Sequence, residues 1–246
     1  MNTGLFGGTF NPLHNGHIDV ISHVKEKFAL DIIHVIPCAT PPHKKDTNLV
    51  SAEIRFEMVK KSIKNIKGLI PSDVEIKRKG KSYTIDTINQ FKRESDPGTN
   101  FFFIMGSDAF FDIKTWKKNL DIFRRIAIIV MIRAGEKRKL NSIESFIQNM
   151  VSNKYLYNRH GRSMVTASVT TKNESHLIPN SWKDFHIQER SNSFFHPWMK
   201  PVHICNVPAI NISSTKIRNL VKKNLSTKSM IPDSVEKIIR KKGLYL

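Results

Sequence analysis

Apolar and polar positions along the chain switch period again and again. "TGLF" (3–6) is a short apolar run that enters a glycine turn, and it reads as a strand. "HIDVISHVKEKFAL" then carries Ile18, Ile21, Val24 and Phe28 at helical spacing. "DIIHVIP" (31–37) is rich in β-branched residues and predicts a second strand. A helix is expected over 51–66, opened by Ser51 as N-cap. "SDVEIKRK" (72–79) alternates and predicts a strand, and "SYTIDTINQFKRE" (82–94) predicts a helix. "NFFFIMG" (100–106) is a continuous apolar run closed by glycine, the pattern of a buried parallel strand. "DIFRRIAIIVMIR" (121–133) contains another. "PVHICNVPAINI" (201–212) returns to strand character, and two helices, "SSTKIRNLVKKNL" and "PDSVEKIIRKKGLY", close the sequence. Strands alternating with helices predict an α/β fold, Rossmann-like and doubly wound, with a mostly parallel sheet and closing C-terminal helices.

Residues from about 136 to 200 break the rhythm. They are polar, with scattered aromatics and no clean period, so one domain over 1–246 with an insertion at about 136–200 is expected. The aromatics Trp182, Phe194, Phe195 and Trp198 in that stretch suit either packing on the domain or a contact between identical chains. Composition changes the picture in one respect. There are 40 Lys and Arg against 21 Asp and Glu, a net charge of +19, which favours anionic partners. The basic lysines near the C-terminus fall on solvent-facing helical positions, and no RRM, KH or zinc-finger signature accompanies them, so nucleic acid is not expected as the main ligand. Cys38 and Cys205 show neither CxxC pairing nor a disulfide framework. No apolar run approaches a membrane span, and no signal-type leader is visible, so a cytoplasmic protein is expected.

Candidate chemistry gathers in the opening stretch, "GGTFNPLHNGH" (7–17). A strand running into Gly7, Gly8, Thr9 and Phe10 makes a tight βα turn at the carboxyl end of the sheet, where open α/β proteins bind ligands. The helix that follows presents free N–H groups and the positive end of its dipole to the same place. The sequence is neither GxGxxG nor a P-loop. His14 and His17 stand three residues apart, on one side of a helix start, where imidazoles can donate to phosphate oxygens. Taken alone, the pair would suit surface histidines or two metal ligands equally well, and no companion cluster supplies further ligands. A second anion grip lies in "ISSTKIR" (212–218), where Ser213 or Ser214 can cap a helix and Ser214 and Arg218 share a face.

"GGTFNPLHNGH" together with "ISSTKIR" resembles the nucleotidyltransferase superfamily that carries the (H/T)xGH motif. "PCATPPHKK" (37–45), "KSYTIDTI" (81–88) and "FIMGSDAFFDIKTW" (103–116) narrow the resemblance to bacterial nicotinate-nucleotide adenylyltransferases. The match covers the chain to about residue 135 and again from about 205. Asn11 departs from the aspartate common there. The resemblance implies transfer of the adenylyl group of ATP to nicotinate mononucleotide, with release of pyrophosphate. It implies His14, His17 and Arg218 as catalytic residues. ATP would be bound by Gly7, Gly8, Thr9, Phe10, His14, His17, Lys44, Ser214, Thr215 and Arg218. Nicotinate mononucleotide would meet Thr84, Ile85, Gly106, Asp108, Trp116 and Arg133. Mg²⁺ would be held mainly by ATP phosphates, with no protein ligand assigned. Two related acceptors stay open at this level: nicotinamide mononucleotide, and phosphopantetheine, against which the SYTIDT and GSDAFF segments speak.

Overall fold

A computed structural model of the chain describes residues 1–41, 49–134, 142, 143, 145–147, 193–196 and 199–246. The elements run β1 (Asn2–Gly8), α1 (Asn15–Lys27), β2 (Ile32–Pro37), α2 (Ala52–Ile63), β3 (Leu69–Pro71), α3 (Val74–Arg78) and α4 (Thr84–Glu94). They continue with β4 (Asn100–Gly106), α5 (Ser107–Asp112), α6 (Asn119–Arg125), β5 (Ala127–Arg133), β6 (Ser193–His196), β7 (Met199–Val207), α7 (Ser214–Lys222) and α8 (Asp233–Lys241). A short 3₁₀ turn, Ile113–Thr115, follows α5. The strand order is β3-β2-β1-β4-β5-β7-β6. Every pairing is parallel except β6 against β7. This is the expected doubly wound α/β sheet.

The winding reverses between β1 and β4, which pair directly from Asn2↔Asn100 to Phe6↔Ile104. A crevice opens beyond the strand ends at such a point, because the chains leaving the two strands turn to opposite faces. Alternation along the strands builds the two faces. Leu5, Phe103 and Val130 bury on one side, with α4, α5 and α6. Phe6, Ile104 and Ile129 bury on the other, with Ile21 and Val24 of α1. A third cluster joins Met58 of α2 to Ile217 of α7 and Val235, Ile238 and Ile239 of α8. No helix among the described residues is long and apolar enough to cross a membrane.

One expectation needs correcting. Residues 72–79 do not form a strand; Val74–Arg78 is a helix. Lys77 N–H donates to Asp73 O at 2.9 Å, a bond four residues back as in a helix, and the Lys77 ammonium pairs with Asp73 at 3.1 Å across one helical turn. The strand lies just before it, as the three-residue edge β3. Within 136–200, several of the described residues join the fold. Ile143 and Ile147 enter the main core, Phe146 packs on Phe110 and Phe111, and β6 adds an antiparallel edge with Phe194 buried. Trp182 and Trp198 lie outside the described residues.

Candidate active site

The glycine turn is shaped by close approach. A Cβ on Gly8 would stand 2.7 Å from the Phe10 ring. Phe10 itself takes φ +47°, a left-handed conformation uncommon for a side-chain-bearing residue. Its ring packs edge-on against His17 at 5.4 Å. The loop then passes a cis Asn11–Pro12 bond into α1.

His14 is the N-cap of α1, and His17 occupies the third helical position. Each ring closes a hydrogen bond on the other's backbone. His17 N–H donates to His14 Nδ1 at 3.2 Å, and His14 N–H donates to His17 Nδ1 at 3.3 Å. The rings stack at 3.6 Å. Because both Nδ1 atoms accept, each neutral imidazole carries its proton on Nε2. Burial lowers the His14 pKa to about 4, with the positive charge of Arg133 adding to the shift. Burial, the neighbouring His14 and Arg133 push His17 well below its ordinary value. At neutral pH the pair is therefore two uncharged Nε2–H donors.

α7 faces them from the other end of the sequence. Ser213 caps it, accepting from Lys216 N–H at 3.2 Å. Ser214 instead donates its hydroxyl to Pro12 O at 2.9 Å. Arg218 donates to Asn11 O at 3.0 Å and to Thr215 Oγ1 at 3.4 Å. Neither α1 nor α7 has an acidic residue in its first turn, so no carboxylate opposes an anion there.

A cavity of about 530 Å³ lies between the two helix starts, a size that suits a nucleotide. It is lined by Gly7, Gly8, Thr9, Phe10, His14, His17, Ser214, Thr215 and Arg218 of the expected ATP set. Lys44 lies outside the described residues. Of the expected acceptor set, Gly106, Asp108 and Arg133 line the same cavity, and Thr84, Ile85 and Trp116 do not. Ile85 lies in, and Trp116 packs against, the core on the α4 face of the sheet. Tyr83 N-caps α4 with no side-chain hydrogen bond, and the Thr84 and Ile85 amides donate to no acceptor among the described residues. Trp116 stands edge-on to Phe103 at 6.2 Å, and the Lys117 ammonium lies 4.5 Å from the centre of the Tyr83 ring. Ala39 N–H donates to Ser82 Oγ, and Ser82 N–H to Thr40 O, which bind the start of this helix to the loop after β2.

Tyr245 and Arg55 carry no motif in the sequence, and Asn11 stands out there only as a departure from the family's aspartate. Asn11 Oδ1 accepts from Val50 N–H at 3.3 Å and from the Tyr245 hydroxyl at 2.9 Å. Arg55 carried a signal. It sits on the stripe of α2 that also bears Met58, Val59 and Ser62, an apolar face on which a lone arginine demands partners.

The family described as cytidylyltransferase-like matches residues 5–220. Over 248 residues the chain is 33% identical to a protein of Desulfatibacillum aliphaticivorans named "Probable nicotinate-nucleotide adenylyltransferase", covering all of both chains. A protein of the same name from Clostridium tetani is 33% identical, with 98% of this chain and 97% of that one covered. The fold is similar to that of Plasmodium falciparum nicotinic acid mononucleotide adenylyltransferase complexed with NaAD, with a TM-score of 0.65 at 21% identity, covering 99% of this chain and 97% of that one. The same enzyme complexed with APC gives a TM-score of 0.63 at 20% identity, covering 99% and 96%.

Proposed function

The chain belongs to the cytidylyltransferase-like family, and we propose that it transfers the adenylyl group of ATP to nicotinate mononucleotide, giving nicotinate adenine dinucleotide and pyrophosphate. The observation that carries this reading is the single cavity into which two helix N-termini turn, one bearing paired Nε2–H donors and the other Arg218. The name shared by the full-length relatives supports nicotinate mononucleotide as the acceptor.

The acceptor phosphate is the nucleophile. Its second pKa is about 6, so it is mostly dianionic at neutral pH and needs no general base. What remains for the protein is alignment and charge stabilisation along an in-line displacement at the α-phosphorus. His14 and His17 donate from Nε2 to the oxygens around that centre. Arg218, with Ser214 and Thr215, holds the departing pyrophosphate, and the Asn11 contact orients its guanidinium. Gly7, Gly8, Thr9 and Phe10 supply backbone contacts, and Lys44 reaches the phosphates from the loop after β2. On the acceptor side, the Thr84 and Ile85 amides meet the nicotinate carboxylate and Trp116 stacks on the pyridine ring. Gly106, Asp108 and Arg133 hold the ribose phosphate at the shared cavity.

Members of this family generally use a divalent metal. No group of three or more His, Cys, Asp or Glu that could hold one occurs among the described residues, and Asp108 is the one carboxylate lining the cavity. That donor set fits an ion carried by phosphate oxygens and water, with Asp108 the nearest protein carboxylate. Mg²⁺ bound so would offset charge on the phosphate oxygens.

Pyrophosphate release from ATP and Mg²⁺, with nicotinate and nicotinamide mononucleotides compared at equal concentration, tests the reading. A preference for the acid of about tenfold or more is expected, because an amide forfeits a charge-assisted hydrogen bond at the Thr84 and Ile85 amides. Preference for the amide would remove the carboxylate site and leave the ATP cavity standing. No release with either would overturn the reading.

A further inference from the structure

Arg55 is fully buried, at 0% exposure, and no carboxylate pairs with it among the described residues. Its guanidinium instead ties the glycine turn to both ends of the loop between β2 and α2. Nε donates to Val50 O at 2.8 Å, one terminal nitrogen to Thr9 O at 2.7 Å, and the other to Ala39 O at 3.0 Å. Cys38 Sγ lies 3.8 Å from the nitrogen that holds Thr9. A buried cation is tolerated only where strong acceptors surround it, and three backbone carbonyls do so here. Thr9 belongs to the glycine turn, Ala39 to the chain leaving β2, and Val50 to the entry of α2. A lysine could not span them, since its single nitrogen lacks the planar fork.

The Thr9 contact has a consequence on the opposite side of one peptide plane. The Thr9–Phe10 bond is trans, so its carbonyl and N–H point in opposite directions. Arg55 does not line the cavity, and Phe10 does. With the carbonyl held by Arg55, the Phe10 N–H is turned away from it, towards the cavity. That N–H donates to no acceptor among the described residues, although Phe10 is only 4% exposed. A buried amide without an acceptor is rare in folded proteins and suits an arriving ligand. The left-handed φ of Phe10 is a conformation that outside contacts must hold in place.

We infer that Arg55 is a positioning residue for adenylyl transfer: by holding the Thr9 carbonyl it aims the Phe10 amide at a non-bridging oxygen of the α-phosphate. The inference rests on the adenylyltransferase reading above, and wild-type turnover separates the two failures: an inactive wild type overturns that reading, whereas an active wild type matched by an unimpaired Arg55→Lys overturns this inference alone. The experiment compares wild type with Arg55→Lys, using ATP and then each diastereomer of its α-phosphorothioate. In Arg55→Lys, kcat should fall about 30-fold or more while the KM for ATP changes less than about threefold, as expected for a contact made mainly in the transition state. The rate ratio between the diastereomers should shift at least fivefold, because one α-oxygen has lost its aimed donor. A folded variant that slows both diastereomers equally would make Arg55 purely structural and overturn the inference. If the variant does not fold, amide NMR of the wild type decides. The Phe10 N–H resonance should move strongly downfield on adding a non-hydrolysable ATP analogue, and no movement overturns the inference.

Discussion

The two helix starts that frame the cavity solve one problem with opposite means. α1 opens on buried rings that are held neutral and lock each other's orientation. α7 opens on a serine cap and carries a permanent charge one turn in, half exposed, with its fork tied to Asn11 and Thr215. Neutral donors fixed to a fraction of an ångström suit the phosphorus where bonds change, because they require no reorganisation as charge shifts. A guanidinium suits the leaving pyrophosphate, where net charge accumulates and bidentate geometry counts. Arg133 sharpens the contrast. The same charge that attracts a polyanion into the cavity adds to the burial that keeps both imidazoles unprotonated.

The largest way to break the comparison is His17→Ala. Loss of an aimed donor should lower kcat by about a thousandfold with the melting temperature nearly kept. Near-normal kcat would mean that α1 contributes its dipole and backbone alone. Arg218→Lys comes next. It preserves charge and removes the fork, so kcat should fall about tenfold and the KM for ATP should rise by a similar factor; unchanged kinetics would reduce α7 to a point charge. The smallest effect is on stability against pH. His14 has a folded pKa of about 4, below its unfolded value near 6.5. The unfolded chain therefore binds the proton first as the pH falls, and the His14 contribution to stability drops from about pH 6.5 to about pH 4, then levels. The drop is of the order of 3 kcal/mol and should be reduced by that amount in His14→Gln, read by denaturant unfolding. An unchanged slope in the variant would mean that the ring titrates normally and that α1 is not the neutral grip.

Much of this was legible in the sequence where the backbone itself makes local demands. A turn that brings a phenylalanine ring against Gly8 needs glycine, and a helix opened by Ser213 or Ser51 states its start in a cap. The motifs at 7–17 and 212–218 were readable for that reason. Other features leave no local trace. The alternation in Val-Glu-Ile-Lys fits a strand, and only the hydrogen bond from Lys77 N–H back to Asp73 O, made on folding, marks a helix. Three residues of β3 are too few to show a period. The separation of Thr84, Ile85 and Trp116 from the main cavity depends on how α4 and the segment after α5 pack beyond β4, and spacing along the chain does not encode it. Arg55 could be flagged by its place on an apolar face, yet its partners are carbonyls, which carry no side-chain signature.

The loop at residues 9–12 is gripped by partners spread along the whole sequence: Arg55 at Thr9, Arg218 at Asn11, Ser214 at Pro12 and the Tyr245 hydroxyl at the Asn11 side chain. Seen from the ribosome, these grips arrive in order. A nascent chain can pair β1 with β2 and β4, and can seat Arg55, early in its synthesis. The Ser214 bond must wait for a residue 202 positions downstream, and the Tyr245 bond for one 234 positions downstream. The β3-β2-β1-β4-β5 part of the sheet is thus made well before the pocket is closed. A growing chain therefore holds the α1 side of the cavity before the α7 side that faces it has been made.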